Sequence, residues 1–394
     1  MQYRNDSKSG NKLSILGFGC MRFPKNFTQI DINKTEQLIV KAVNEGINYF
    51  DTAFLYGGSE DVLGKIISKN NLRSKIFLAT KMPPTKCKTY EDFESLFQTQ
   101  LNRLQTDYID YYLIHSLIDV IVWKNLCDLG IEKWIKEKKA SGRIKNIGFS
   151  FHGIHNDFLK LLDVYDWDFC QIQYNYIDEN YQAGMEGLKK AFAKGMPIII
   201  MEPLLGGKLA NGLPKKVVDI FKTANTSFSP AAWALRWIWN QKEPTVVLSG
   251  MSEMPQLEEN IRTAENSVSG MLTKEENDTY ESVIKMVKDS YKIPCTGCNY
   301  CMPCPQNVNI PACFSAYNTS YAIGYYDGLK QYVTSTGILD PVKNFGPGNC
   351  IECGLCETKC PQHIPIRKSL KPVLKRMEPF ILKIFLKISG KARR

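Results

Sequence analysis

Eight apolar runs of strand length recur through the first two thirds of the chain, at 14–19, 49–52, 76–80, 108–114, 147–150, 169–173, 197–201 and 245–249. Helix-length amphipathic segments separate them, among them 33–45, 93–104, 123–140 and 184–194. Gly46, Gly142 and Gly195 stand where such helices stop, since glycine takes the left-handed conformation that ends a helix without steric penalty. Strands alternating with helices run parallel, because a parallel crossover needs a helix-length connection. Eight such units in roughly 250 residues predict an α/β fold of the closed (β/α)8, or TIM, barrel type. An open doubly wound sheet is the competing architecture, but Gly17-Phe18-Gly19 is a poor match to the glycine fingerprint such a sheet would carry.

The barrel is expected over residues 1–270, with a charged helical connector at 271–292. From 294 to 365 the composition turns to Cys, Pro, Gly, Asn and Tyr with little helical periodicity, which marks a separate small domain over 293–370. Nine of the 13 cysteines lie between Cys295 and Cys360; Cys20, Cys87, Cys127 and Cys170 are scattered and read as packing residues. The N-terminal segment is polar, without the apolar core of a secretory signal, and no run approaches the ~18–20 apolar residues of a membrane span. A cytoplasmic location is expected, and clustered cysteines there serve as metal ligands rather than disulfides.

Cys350-x2-Cys353-x2-Cys356-x3-Cys360-Pro has the spacing with which bacterial ferredoxins hold a [4Fe–4S] cluster. Cys295-x2-Cys298-x2-Cys301-x2-Cys304-Pro nearly repeats it, one residue shorter in the last gap, and both runs close on Cys-Pro-Gln. Three thiolates at this spacing grip three corners of a cubane, while the proline leads the fourth cysteine away. Two [4Fe–4S] clusters with exchanged fourth ligands are therefore expected: Cys295, Cys298 and Cys301 with Cys360, and Cys350, Cys353 and Cys356 with Cys304. Zinc is the alternative, though its four-cysteine sites are usually built from two separated pairs. Cys313 is left over and reads as structural.

Net charge is +10, yet ten basic residues and one acid, Glu378, lie in the last 28 positions, 367–394. The remainder is nearly neutral, and no nucleic-acid-binding surface is indicated. The tail, 371–394, reads as a basic amphipathic C-terminal helix with Phe380, Ile381, Ile384, Phe385 and Ile388 on one face. Packing on protein is favoured over contact with an anionic membrane surface.

In a barrel of this kind, chemistry sits at the C-terminal ends of the strands. Asp51 and Tyr56 follow the second run, Lys81 the third and His115 the fourth. Each alone has a bland explanation in packing or solvation; together, at matching ends of consecutive strands, they form a proton-transfer set. A carbonyl that accepts hydride becomes an alkoxide and needs a proton. Tyr56 is read as the general acid in reduction and the general base in oxidation. Lys81 is expected to lower its pKa, Asp51 to hold Lys81, and His115 to orient the carbonyl oxygen.

The stretch Gly46-Ile-Asn-Tyr-Phe-Asp51-Thr-Ala-Phe-Leu-Tyr56-Gly, with Lys81 and Leu113-Ile-His115, resembles the aldo/keto reductase family, whose tetrad it matches at all four positions. The resemblance covers about residues 10–268. It implies an oxidoreductase that binds NAD(P)(H) and acts on a small carbonyl or alcohol. Ser150 and Gln171 resemble the residues that contact the carboxamide. Leu204, Gly206, Gly207 and Leu209 resemble the pyrophosphate loop, and Gly250, Ser252, Gln256, Glu259 and Asn260 the adenosine end. Two positions depart from the family pattern: Met201 stands where a tyrosine often stacks on the nicotinamide, and no Arg or Lys neighbours Ser252 and Gln256.

The segment Thr296-Gly-Cys-Asn-Tyr-Cys-Met-Pro-Cys-Pro resembles the two-cluster ferredoxin-like domains appended to some members of that family. Hydride carries two electrons and a cubane takes one, so direct exchange is costly; a flavin would bridge the two, but no flavin motif is present. A flavoprotein or ferredoxin is then the expected redox partner. The alternative is a nicotinamide-binding sensor or regulatory subunit with clusters in a structural role, which the intact tetrad disfavours.

Overall fold

The structure, a computed structural model, describes residues 1–295, 297, 300–339, 344–360 and 362–379. It divides into two compact units, Met1–Ala210 with Ser227–Thr273, and Asn211–Thr226 with Lys274–Arg394. Cys298 and the amphipathic segment expected from Phe380 onward lie outside the described residues.

In the first unit eight parallel strands close into a ring: β1 Leu16–Gly19, β2 Tyr49–Asp51, β3 Phe77–Met82, β4 Ile109–Ile114, β5 Ile144–Phe151, β6 Phe169–Gln173, β7 Ile198–Met201 and β8 Val246–Ser249. Each pairs with its sequence neighbours, and β8 returns to β1, as in Val247 opposite Leu16. All eight expected strands are present. The first is shorter than its apolar run: Lys12–Ser14 pairs with Tyr3–Asn5 in an antiparallel hairpin, and Leu16–Gly19 alone joins the ring.

The helices are α1 Ile32–Asn44, α2 Ser59–Lys69, α3 Tyr90–Leu104, α4 Val120–Asp128, α5 Ile131–Ala140, α6 His155–Leu161, α7 Gly184–Ala193, α8 Lys208–Asn211, α9 Lys215–Ala224, α10 Pro230–Trp239 and α11 Met254–Glu265. The single helix expected over 123–140 is two, because Gly130 at φ 90° ends the first and begins the second. Helix α3 starts where a capping box forms between Thr89 and Asp92, satisfying donors that the first turn leaves open.

Two apolar layers result. Inside the ring, Leu13, Tyr49, Tyr111, Phe169, Ile199 and Leu248 fill the lumen. Outside it, Leu63, Phe97, Trp134, Phe149, Ile200 and Trp239 belong to the larger cluster formed with the helices. Asp6, 1% exposed in the hairpin, accepts a 2.7 Å hydrogen bond from the Tyr111 hydroxyl inside the ring. The hairpin thus reaches into the lumen at the end where the strands begin.

The second unit holds α9, α12 Lys274–Asp289, α13 Ile310–Ala322, α14 Tyr325–Thr336 and α15 Ile366–Met377. The low helical periodicity expected between 294 and 365 does not hold. Two helices lie there, and α13 escapes a periodicity search because it is buried on nearly every side, from Ile310 to Ala322. Its Cys313 is fully buried in a core that includes Phe314, Tyr332, Ile364 and Val373. At Gly328 of α14 an added Cβ would stand 2.5 Å from the Ala316 carbonyl oxygen of α13, so that crossing admits only glycine.

The same constraint governs α2 and α3. A Cβ at Gly64 would lie 2.1 Å from the Arg103 carbonyl oxygen and 2.7 Å from Leu104 backbone atoms. Gly64→Ala is predicted to cost about 1–3 kcal/mol by overpacking, read as a lower urea midpoint at unchanged slope. An unchanged midpoint would show that the two helices are free to separate.

Candidate active site

Strand register delivers the four tetrad residues to one rim. Asp51 ends β2, Lys81 lies opposite Leu113 in β3, and His115 follows β4, its backbone N–H donating to Met82 O at 2.9 Å. Tyr56 sits in the turn before α2, where its N–H donates to Ala53 O and its carbonyl accepts from Ser59 N. The structure brings all four together. Lys81 Nζ donates to Asp51 Oδ1 at 2.6 Å and to Thr52 O at 2.7 Å. The same ammonium stands 5.0 Å from the Tyr56 ring centroid, and the Tyr56 and His115 rings meet edge to face at 5.9 Å.

Burial and charge act against each other here. Burial alone would lower the Lys81 ammonium, but Asp51 and Tyr56 outweigh it and the pKa is raised. Burial pushes the Asp51 carboxyl up while Lys81 pulls it back; the short contact makes this an ion pair. For Tyr56, burial raises the phenol more than Lys81 lowers it, and Asp51 and Glu202 add to the rise. Lys81 therefore acts in the expected direction, yet the net shift is upward. His115 is lowered to about 3, chiefly by burial and then by Lys81, so its imidazole is neutral.

Beneath the rim, Lys81 is fixed from behind. Gln100 Nε2 donates to Lys81 O at 3.1 Å and to Glu60 Oε1 at 2.8 Å, and Tyr112 donates to Gln100 Oε1 at 2.7 Å. Glu60, 2% exposed, also accepts from Thr80 and Arg103.

The residues expected to hold a nicotinamide lie in or follow β5 to β8, on the same rim. Ser150 lies opposite Gln171 in the sheet and its Oγ accepts from Ser116 N at 2.8 Å. Gln171 Oε1 and Asn175 Nδ2 are buried without a hydrogen-bond partner among the described residues. One acceptor and one donor left open four positions apart match the amide and carbonyl of a carboxamide, so these residues fit the group. Met201 ends β7, and the loop beyond it turns through left-handed backbone at Glu202, Leu205, Gly206 and Gly207. At the far end, Gln256 Oε1 accepts from Ser252 N at 2.9 Å and caps α11, while Asn260 Nδ2 donates to Ser249 Oγ at 3.0 Å. Glu259 is half-buried on the same helix.

In the second unit, Cys304, Cys350, Cys353 and Cys356 line one cavity, together with Cys301 and Leu355. Cys350 and Cys304 both act electrostatically on Cys356. Cys295 and Cys360 lie half-buried at the edge of the same apolar core. Among the described residues no His, Cys, Asp or Glu group closes on a single metal ion; the cysteines enclose a space, as the separated corners of a cubane require. The four barrel cysteines differ: Cys20 and Cys170 are fully buried, and burial pushes Cys87 up to about 12 and Cys127 up to about 11.

A family model described as the aldo/keto reductase family matches residues 15–285, and one described as a 4Fe-4S dicluster domain matches 294–364. The chain belongs to the aldo/keto reductase family. It is an oxidoreductase of that family with an appended 4Fe-4S domain. Among curated relatives, L-galactose dehydrogenase of Arabidopsis thaliana is 26% identical over 73% of this chain and 96% of its own length. An aldo-keto reductase of Bacillus halodurans, solved in its holo form, superposes with a TM-score of 0.60 at 25% identity, covering 72% of this chain and 96% of that one. One from Klebsiella pneumoniae, described as a complex with NADPH, gives 0.60 at 22% identity over 72% and 95%, a likeness of fold.

Several polar groups at the reductase rim escaped the sequence reading. Lys34 Nζ reaches Glu253 at 2.6 Å, so a cation does stand beside Ser252; it comes from α1, remote in sequence. Arg22 donates to Gly206 O at 2.5 Å. His152 lies half-buried within electrostatic reach of Gln182, Glu202 and Lys81, and burial lowers it. Among the described residues no helix is long and apolar enough to cross a membrane.

The depressed His115 sets a pH dependence. The unfolded chain binds a proton below about 6.5 that the folded site refuses down to about 3, so this group costs nothing above neutrality and lowers stability as pH falls through that window. His115→Gln is predicted to flatten the acid limb of unfolding free energy against pH by close to one proton. An unaltered slope would mean His115 protonates in the folded state.

Proposed function

We propose that the barrel reduces a small carbonyl substrate with Tyr56 as general acid, and that the appended domain carries two [4Fe–4S] clusters for electron transfer. The observation that carries the first part is the Lys81 ammonium, buried between Asp51 and Tyr56. When bound, a nicotinamide supplies hydride and the clusters supply single electrons. Tyr56 Oη gives its proton to the substrate oxygen as charge develops there, and Lys81 stabilises the phenolate left behind. Asp51 keeps Lys81 charged and in place. Neutral His115 orients the oxygen by donating a hydrogen bond. A phenol whose pKa is raised stays protonated, which suits reduction; oxidation needs the phenolate and is favoured by alkaline conditions. Gln171 and Asn175 would hold the carboxamide, with Ser150 beside them.

Tyr56→Phe is predicted to lower carbonyl reduction by ~10²–10⁴-fold while nicotinamide binding, followed by fluorescence, is retained. Undiminished turnover would remove Tyr56 from the mechanism. Failure of the parent protein to reduce any carbonyl while binding the nucleotide would favour the sensor reading.

For the second part, Cys304 shares a cavity with Cys350, Cys353 and Cys356, which supports an exchanged fourth ligand, although Cys301, assigned to the other cluster, lines that cavity too. Cys295, Cys298 and Cys301 with Cys360 would hold the other cluster. Anaerobically purified protein should carry about eight irons. With Cys304 and Cys353 both changed to Ala, one cluster loses two ligands and about four irons remain; with Cys301 and Cys353 both changed, each cluster loses one. Loss of both clusters from the first pair as well as from the second would show that the four cysteines of each run serve their own cluster.

A further inference from the structure

Two large apolar side chains of the cysteine-rich part face solvent on one loop. Ile351 is 63% exposed and Leu355 53% exposed, and between them in sequence stands Cys353, the one exposed cysteine among the described residues. All three line the cavity that Cys304, Cys350 and Cys356 also line. The loop 350–356 is therefore where the cysteine-rich part brings a thiol to its surface.

Helix α15 is strapped to this loop. Arg367 Nη2 pairs with Glu357 at 2.7 Å and Lys371 Nζ with Glu352 at 2.9 Å. A Cβ at Gly354 would stand 3.4 Å from Arg367 Cζ, so the guanidinium lies against the turn between Cys353 and Leu355. These two pairs neutralise both acids of the run 350–360. Lys359, Lys368 and Lys375 remain exposed, and among the described residues no carboxylate lies within ion-pair distance of them. Lys368, Lys371 and Lys375 recur at helical spacing and share one face of α15. Its apolar residues Ile366, Leu370, Val373 and Met377 are buried, so the exposed face offers charge without an apolar stripe to enter lipid. An apolar spot beside unneutralised cations suits a transient partner of opposite charge. The charges steer the encounter, and the apolar contact excludes water at its centre.

We propose that the loop 350–356 and the cationic face of α15 form the docking surface for a small acidic one-electron carrier protein, and that the cluster of Cys350, Cys353 and Cys356 is the one that exchanges electrons with it. The inference rests on the two-cluster reading above. One electron crosses per encounter: the carrier loses one as the cluster gains one, or the reverse, and no bond or proton is exchanged. Two encounters load two cubanes with as many electrons as one hydride carries. Electron-transfer encounters bury little surface, which fits a spot of two apolar side chains.

The test uses anaerobically purified full chain and flavodoxin, an acidic one-electron carrier whose flavin absorbance reports its own redox state. Calorimetry with oxidised flavodoxin at low ionic strength gives the Kd, and stopped-flow mixing with reduced flavodoxin gives the transfer rate. Changing Lys368 and Lys375 both to Glu is expected to raise the Kd about tenfold or more and to slow transfer alike. Gln at both positions should fall between, and ~1 M salt should remove the differences. Iron content should match the parent, since neither lysine lines the cysteine cavity. The surface is overturned if the iron-loaded parent does not bind flavodoxin, or if the charge-reversed variant binds it within about twofold of the parent. It is also overturned if the reversal abolishes sedimentation with phosphatidylserine vesicles and leaves flavodoxin binding unchanged, which would make the face a membrane contact. Iron-loaded parent that binds flavodoxin but exchanges no electron with it overturns the electron-transfer reading itself, and the docking surface with it.

Discussion

A ring of parallel strands has every strand end facing the same way. Each crossover helix must return the chain to the starting end, so eight separate stretches of sequence deliver their last residues to one rim. The rest of the first unit depends on that constraint. Asp51, Lys81 and His115 are far apart in sequence and adjacent in space because β2, β3 and β4 are neighbours in register. The opposite end is left to packing, and there the N-terminal hairpin sends Asp6 to the Tyr111 hydroxyl.

What the rim holds is an expensive charge. A lysine 1% exposed persists as an ammonium only when its surroundings are fully committed to it. Asp51 Oδ1 and Thr52 O accept hydrogen bonds from it, and Tyr56 faces it from the side. The second layer is as specific. Gln100 holds the Lys81 backbone while bound to Glu60 and Tyr112, so a polar cluster between α2, α3 and the sheet fixes the strand from which the ammonium extends. The upward shift of Tyr56 follows from the same enclosure: a site dry enough to make Lys81 effective also penalises a phenolate.

The eight strands and the tetrad were legible because each is local: an apolar run, a strand end, a titratable residue just beyond it. The 4Fe-4S domain was legible because the cysteine spacing along each run is one that such domains use. What escaped was whatever depends on two distant segments. Arg22 and Gly206, or Lys34 and Glu253, carry no sequence signal that they meet. The split between α4 and α5 at Gly130 was lost because both halves are good helix formers, and α13 was lost because burial on all sides erases the periodicity that reveals a helix. The lowered Tyr56 pKa was misjudged for a related reason: the lysine was visible in the sequence, but the burial that outweighs it was not.

The scattered cysteines of the barrel bear on how the appended domain acquires iron. A metal or sulfide-bearing donor reacts with thiolates, and thiols held protonated in an apolar core do not compete for it. Cys20 and Cys170 are sealed from solvent, and Cys87 and Cys127 stay protonated at any physiological pH. The only exposed cysteine among the described residues is Cys353, in the second cysteine run. Among the described residues, then, the exposed thiol belongs to the cysteine-rich domain and none belongs to the barrel.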